Sequence, residues 1–157
     1  MNETLLHCLM TFGISMVPVI ELRGAIPYGL AFGLPLPLVL IVSVLGNMVP
    51  VPFIALFIRK IFAWMRKTSR RLDDIVTKLE ERAHKKAKTV QKYKLLGLYI
   101  LVAIPLPGTG AWTGSLVGAL MDIRLKYLIP IVFAGVLTAG IIMCLISYGA
   151  GALFSFI

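Results

Sequence analysis

The stretch LPLVLIVSVLGNMVPVPFIALFI, residues 36–58, contains no charged side chain and decides the class of fold. A helix needs about 20 apolar residues to cross the hydrocarbon core of a bilayer, so this stretch is long enough to span it. Residues 127–148 form a second such stretch. Hydrophobic residues make up 59% of the 157-residue chain and charged residues 15%, which is much more apolar than an ordinary soluble domain. The sequence therefore predicts an all-α integral membrane protein, with 1–157 as one membrane domain.

The net charge of +9 lies in one segment of the chain. All but three of the 16 Lys and Arg residues fall between Arg59 and Lys94, and the rest of the chain is neutral overall. An excess of Lys and Arg is typical of cytoplasmic loops, so the charge needs no nucleic acid as partner. Apolar residues recur within 59–94 at helical spacing and predict a basic amphipathic helix that binds anionic lipid headgroups or docks a partner. A solvated connector that only sets the orientation fits the same pattern.

Two further apolar stretches, 1–35 and 95–122, are interrupted by proline and glycine. The first breaks between Pro18 and Gly24, and the second between Pro105 and Gly110. Each limb is about half a membrane thickness long at the helical rise. We predict that both stretches are re-entrant helical hairpins, each of which enters and leaves the membrane on the same side.

Each predicted hairpin is followed by a predicted transmembrane helix, in 36–58 and in 123–157, the latter with a C-terminal tail. One span between the hairpins makes the two halves inverted repeats, an arrangement that recurs in transporters with a binding site near the midplane. The basic segment 59–94 and the Arg124/Lys126 turn then share the cytoplasmic side. Four ordinary spans are the alternative, and they would put Lys126 outside.

Glu21 and Arg23 lie at the first break. A charge in the membrane core costs about 2.5–3.5 kcal/mol on insertion scales, so such residues usually face a cavity and have a partner. In an extended break, side chains two residues apart point the same way. Our hypothesis is that Arg23 holds an anion while Glu21 carries a coupling proton or cation. The alternative is a charge pair that neutralises itself and pins the hairpin.

The second break supports an anion site because helix N-termini carry partial positive charge and bind anions. One returning limb begins after Gly108-Thr109-Gly110, and Gly24 would offer a second helix start that faces it. The glycines and prolines are also explained if they only let the chain turn. Asn47 either lines the cavity or hydrogen-bonds to a neighbouring helix. The predicted substrate- or ion-binding residues are Glu21, Arg23, Gly24, Asn47, Pro105, Pro107, Gly108, Thr109, Gly110, Trp112 and Thr113.

Enzyme activity has no support in the sequence. Ser-His-Asp, Cys-His and HExxH arrangements and phosphate loops are all missing. Cys8 and Cys144 have no companions at metal-ligand spacing. We expect no catalytic residues, no metal site and no cofactor.

The strings ELRGAIPYG (21–29), GNMVPVPF (46–53) and PLPGTGAWTGSLVGALMDI (105–123) resemble the small multidrug export family of prokaryotes. That family is similar, more distantly, to the DedA membrane proteins, which have paired re-entrant hairpins and are linked to proton-dependent export and to flipping of lipid-linked phosphates. The resemblance implies a multi-pass protein of the prokaryotic inner membrane. It places the family's acidic–basic pair on Glu21 and Arg23 and its second break on Pro105, Pro107, Gly108 and Gly110.

These expectations combine into a proton- or ion-coupled transporter that moves a small or amphipathic anionic substrate between the two hairpins. Two spans and two hairpins hardly enclose a path alone, so we expect a homodimer within the lipid bilayer. One alternative is a DedA-like flippase for a lipid-linked phosphate such as polyprenyl phosphate. Another is a non-transporting membrane scaffold that uses its basic helix.

Overall fold

The computed structural model describes residues 3–90, 94–106, 108–121 and 123–154, and within these ranges the regular structure is entirely helical. The all-α prediction is therefore confirmed over this part of the chain. The helices are α1 (Glu3–Met16), α2 (Glu21–Ala31), α3 (Leu36–Met48), α4 (Pro50–Thr68), α5 (Arg70–Val90), α6 (Lys94–Ala103), α7 (Ala111–Leu120) and α8 (Leu125–Phe154).

Two helical stretches of the described chain are long and apolar enough to cross a membrane, Leu36–Ile58 and Leu125–Gly149. The first consists of α3 and the start of α4, joined at Val49, whose N–H donates to the carbonyl of Gly46 (3.2 Å). Pro50 and Pro52 have no N–H to donate, so α3 cannot continue through them and α4 begins at Pro50. The predicted spans thus correspond to helices of sufficient length.

The basic segment differs in detail from the single helix expected over 59–94. Helix α4 continues past Ile58 to Thr68, and its last part still contains the apolar residues Ile61, Phe62 and Trp64. Ser69 then has extended backbone angles (φ −161°, ψ 142°) and separates α4 from α5. The two helices form a hairpin of their own.

Helix α5 packs its apolar stripe on the chain itself. Val76 is completely buried, and α5 contacts α4, α6 and α7. Arg66 on α4 forms ion pairs with Asp73 and Glu80 on α5. The basic side chains of α5 whose burial the structure describes, Arg70, Arg71, Lys78 and Arg82, are exposed, and binding of α5 to anionic headgroups stays a prediction.

The two proline- and glycine-rich breaks separate helices that pack on each other. Helix α1 contacts α2, and α6 contacts α7, so each pair is a helical hairpin in space. Glycines let α8 come close to its neighbours: a Cβ on Gly135 would lie 2.7 Å from Val102 on α6, and one on Gly140 would lie 2.7 Å from Leu40 on α3. The re-entrant placement of the hairpins in a membrane and the inverted relation of the two halves stay predictions.

Candidate functional site

Glu21 is aimed into the helix bundle by a strained turn between α1 and α2. Val19 and Glu21 have positive φ angles of 77° and 49°, a conformation that costs an L-residue about 1–2 kcal/mol. Such strain persists where the surroundings hold the backbone in place, and it is often found at functional sites. Glu21 is the first residue of α2 and is only 2% exposed. It is the one buried charged residue among those that the structure describes.

The Glu21 carboxyl group lies at the N-terminus of α7. The Trp112 N–H donates to Glu21 Oε1 (3.1 Å), and the Ala111 N–H also interacts with this carboxyl. Gly110, immediately before α7, has φ 119° and ψ −166°, and a Cβ at this position would overlap the carboxyl group. Glu21 therefore takes the place that an Asp or Ser side chain occupies when it caps its own helix. A carboxylate is favoured there because the helix start carries partial positive charge.

Arg23 reaches the same break by a different contact. Its Nη2 donates to Thr109 Oγ1 (2.7 Å), and the Thr109 hydroxyl donates in turn to the carbonyl of Ile104 or Leu106. The expectation that Glu21 and Arg23 lie side by side in an extended break is wrong, since both belong to the first turn of α2. The two side chains are close enough to attract each other electrostatically. Glu21 contacts the N-terminus of α7, whereas Arg23 contacts Thr109.

Asn47 adds a buried amide to the site, and its side chain interacts with the Glu21 carboxyl group. It is completely buried on α3 beside the Glu21 carboxyl. Within the described part of the chain, neither its Oδ1 nor its Nδ2 has a hydrogen bond of normal geometry. Asn47, Glu21, Arg23 and Gly110 line one narrow gap that has no room for a water molecule. A buried polar group without a partner costs about 1–3 kcal/mol, so the amide calls for an explanation.

A larger cavity of about 290 Å³ lies on the other side of Glu21. Its walls come from α4, α5, α7 and the two breaks, and they are apolar except for Glu21, Thr109 and Thr113. Sequence reasoning missed most of this wall, including Ile54, Ile58 and Phe62 of α4 and Leu79 of α5. The spacing of the α4 residues marks one helix face, but a face that meets lipid has the same pattern.

The structure brings together eight of the predicted site residues, namely Glu21, Arg23, Asn47, Gly108, Thr109, Gly110, Trp112 and Thr113. The Trp112 indole N–H donates to the carbonyl of Met16 (3.1 Å) and so ties α7 to the end of α1. The Thr113 hydroxyl donates to the carbonyl of Gly108, which also lines the larger cavity.

The remaining predicted residues have other places. Gly24 does not begin a helix: it lies inside α2, where a Cβ would overlap the Ile20 side chain, so its role is close packing at the first break. Pro105 lies in the segment between α6 and α7 without a contact to Glu21 or Arg23 that the structure records. Pro107 lies outside the described residues. No group of three or more metal-ligating side chains occurs in the ranges that the structure covers.

Apolar helices long enough to span a bilayer, together with a buried carboxyl group at a helix break, define a small helical membrane protein with an internal ionisable site. Residues 21–142 match the family described as putative small multi-drug export protein, and the chain belongs to that family. The match covers more than three quarters of the chain, and it begins at Glu21. It confirms the resemblance seen in the sequence motifs. No curated protein and no solved structure matches the chain.

Proposed function

We propose that the chain is a proton-coupled membrane transporter of small or amphipathic anions, in which the Glu21 carboxylate and the substrate anion alternate at the N-terminus of α7. The observation that carries the proposal is the bond from the Trp112 N–H to Glu21. While Glu21 is charged and bound there, a substrate anion finds the helix start occupied.

Protonation of Glu21 weakens this arrangement. A hydrogen bond to an ionised acceptor is roughly twice as strong as one to a neutral acceptor, so a neutral carboxyl group leaves the N–H groups more easily. A protonated carboxyl also has an O–H to donate. The side chain of Asn47 interacts with this carboxyl group, and its Oδ1 accepts no hydrogen bond from the described residues. Asn47 thus provides the acceptor for the protonated state, which accounts for its buried amide.

The vacated helix start then binds the substrate anion. The N–H groups of Ala111 and Trp112 become available, and Arg23 lies within bonding distance of Thr109 in the same break. A guanidinium group has five N–H donors, so Arg23 can keep its bond to Thr109 and bind the anion as well. Proton and anion bind together in this scheme, and they therefore cross the membrane together.

Because the proton and the anion move in the same direction, the proton gradient can drive the substrate only inward. An inward proton gradient opposes the exit of a proton with its anion, so export runs on an outward gradient of the substrate. The same proton gradient drives a lipid-linked phosphate from the outer to the inner leaflet. Transport of proton and substrate in the same direction therefore favours a flippase for a lipid-linked phosphate as the second candidate function. A scaffold, the third alternative, offers no reason for a buried Glu21.

The proposal includes the surroundings of the site. The chain lies in the prokaryotic inner membrane as a homodimer, with re-entrant hairpins, inverted halves and the basic helix α5 at the cytoplasmic face. Single cysteines at Arg82 and Lys126 should then react with an impermeant reagent from the same side. Reaction from opposite sides would mean four ordinary spans and would remove the facing hairpins from the proposal.

Liposomes that contain a pH-sensitive dye test the mechanism. Hexyl sulfate is a permanent anion with no proton of its own, so when valinomycin and equal K⁺ on both sides hold the membrane potential at zero, an inward gradient of it acidifies the lumen only if the protein carries a proton. We expect acidification with the wild type and with Glu3→Gln, an exposed carboxylate in α1, and none with Glu21→Gln. Unchanged acidification with Glu21→Gln would overturn the proposal.

The flippase is tested in the same liposomes with farnesyl phosphate as competitor. If a lipid-linked phosphate is the substrate, farnesyl phosphate should inhibit the uptake of hexyl sulfate, whereas farnesol, which lacks the phosphate, should not. Equal inhibition by farnesol would argue against a phosphate at this site.

A further inference from the structure

The cavity of about 290 Å³ beside Glu21 has no role in the mechanism above. Among the residues that the structure describes, Glu21 is the only charged one that lines it, and Glu21 also borders the narrow gap around Asn47. The cavity therefore adjoins the polar site directly, with the carboxyl-bearing residue between the two. It is a second compartment of one site.

The lining shows what kind of group the cavity accepts. Its polar end is formed by Thr109 and Thr113, and its walls are aliphatic or aromatic, among them Ile58, Phe62 and Leu79. Ligand pockets have volumes of about 300–1,000 Å³, so this one lies at the small end. A water molecule takes about 30 Å³ in the liquid, and a methylene group takes nearly as much, so roughly eight to ten carbon atoms fill the cavity.

Helix α5 contributes both a wall and a charge. Leu79 reaches the cavity from α5, and Glu80 beside it is held by Arg66 of α4. The exposed neighbours of Leu79 in the chain are Lys78, Glu81 and Arg82, so charges of both signs lie at this wall. The anionic character of the ligand therefore follows from the proposed site at the N-terminus of α7 and not from the charge around this wall.

We propose that this cavity binds the apolar part of an amphipathic anion, a chain of about eight carbons or one substituted ring, while its charged group lies at the N-terminus of α7 beside Arg23. This inference rests on the proposed function, because the anion takes the helix start from Glu21. It adds the class of substrate: a single anionic group on a short apolar body. A free amphiphile and the acyl chain of a bilayer lipid share this chemistry.

Equilibrium binding of alkyl sulfates to the full chain in lipid nanodiscs tests the inference. Trp112 lines the cavity and serves as the fluorescent reporter once the exposed Trp64 is replaced by Phe. From methyl to octyl sulfate we expect affinity to rise about fourfold per methylene at most, and to level off near eight carbons. An affinity that does not depend on chain length would overturn the inference.

Matched variants separate the cavity from the bilayer as the source of this dependence. Leu79→Gln should weaken octyl sulfate binding at least tenfold and leave methyl sulfate within twofold. Ile75→Gln, on the same helix but half exposed, should leave both within twofold. Ile58→Phe should shorten the preferred chain, whereas Leu56→Phe, which is exposed on the same helix, should not. If a cavity variant and its exposed control had the same effect on binding, the cavity would not be the binding site.

The remaining arms distinguish the possible sources and the possible failures. One outcome is that brominated phospholipid quenches Trp112 fluorescence, that Leu79→Gln relieves the quenching, and that alkyl sulfates have no effect. This outcome would assign the cavity to a bilayer lipid and refute binding of a free amphiphile. Loss of chain-length dependence with intact acidification of liposomes by hexyl sulfate would refute the cavity alone. If binding depends on chain length but Glu21→Gln leaves acidification unchanged, the proton mechanism alone is refuted.

Discussion

Replacement of Gly110 by alanine tests the contact between Glu21 and α7 most directly. Two costs arise from the structure. The backbone angles of Gly110 (φ 119°, ψ −166°) belong to a region that is essentially restricted to glycine, which costs about 1–3 kcal/mol for another residue. The new Cβ also overlaps the Glu21 carboxyl group. Displacement of that group removes its bonds from Trp112 and Ala111, each worth about 1.5–3 kcal/mol because the acceptor is charged.

A double-mutant cycle separates the two costs. In the wild-type background Gly110→Ala should lower the free energy of unfolding by about 2.5–9 kcal/mol, if at least one of the two bonds is lost. In a Glu21→Ala background only the backbone cost of about 1–3 kcal/mol remains. The coupling energy between positions 21 and 110 is therefore expected to be at least about 1.5 kcal/mol.

Equilibrium unfolding in mixed detergent micelles, followed by the helical circular dichroism signal, measures all four proteins of the cycle. Gly33→Ala is the control, because Gly33 also has a positive φ (76°) but nothing lies within 4 Å of its Cβ position. It should cost about 1–2 kcal/mol and show no coupling to Glu21→Ala. A coupling energy below about 0.5 kcal/mol between positions 21 and 110 would mean that Glu21 does not lie on α7.

Four further substitutions test other parts of the structure. Asn47→Leu removes a completely buried amide that interacts with the Glu21 carboxyl group, so it should abolish hexyl sulfate-driven acidification; acidification equal to that of the wild type would contradict a role for this amide. Thr109→Val removes the acceptor of Arg23 and should cost about 1–3 kcal/mol, while Thr109→Ser should cost much less. Arg66→Ala breaks only exposed ion pairs, so a loss above about 1 kcal/mol would be unexpected. Val76→Ala removes two completely buried methyl groups and should cost about 2 kcal/mol in thermal or detergent unfolding, clearly more than Val17→Ala at an exposed site.

The features that the sequence predicted correctly depend on local patterns. Residues 36–58 are identified as a candidate span because they contain no charged side chain. The proline and glycine residues locate both helix breaks because they act on the backbone where they occur. The cost of placing a charge in an apolar chain singled out Glu21 and Arg23 as site residues, and their role in binding stays a prediction.

The features that the sequence did not predict depend on packing between distant segments. That Glu21 caps α7 follows from how α2 lies against the start of α7, and no pattern near Glu21 encodes that. Gly24 looks like a helix start, yet its lack of a side chain serves the packing of Ile20. Leu79 belongs to a polar, basic segment and lines the cavity only because α5 folds back on α4 and α7.

The bond between Glu21 and Trp112 joins residues that are 91 positions apart in the chain, and this separation has a consequence for biosynthesis. At a synthesis rate of about 5–20 residues per second, Glu21 leaves the ribosome about 5–18 s before the helix start that receives it. In the proposed topology, the first helical pair enters the membrane during that interval while its acidic side chain still has no contact with α7. Co-translational insertion should therefore stall or reverse at this stage in chains truncated before residue 111, and proceed once α7 has emerged from the translocon.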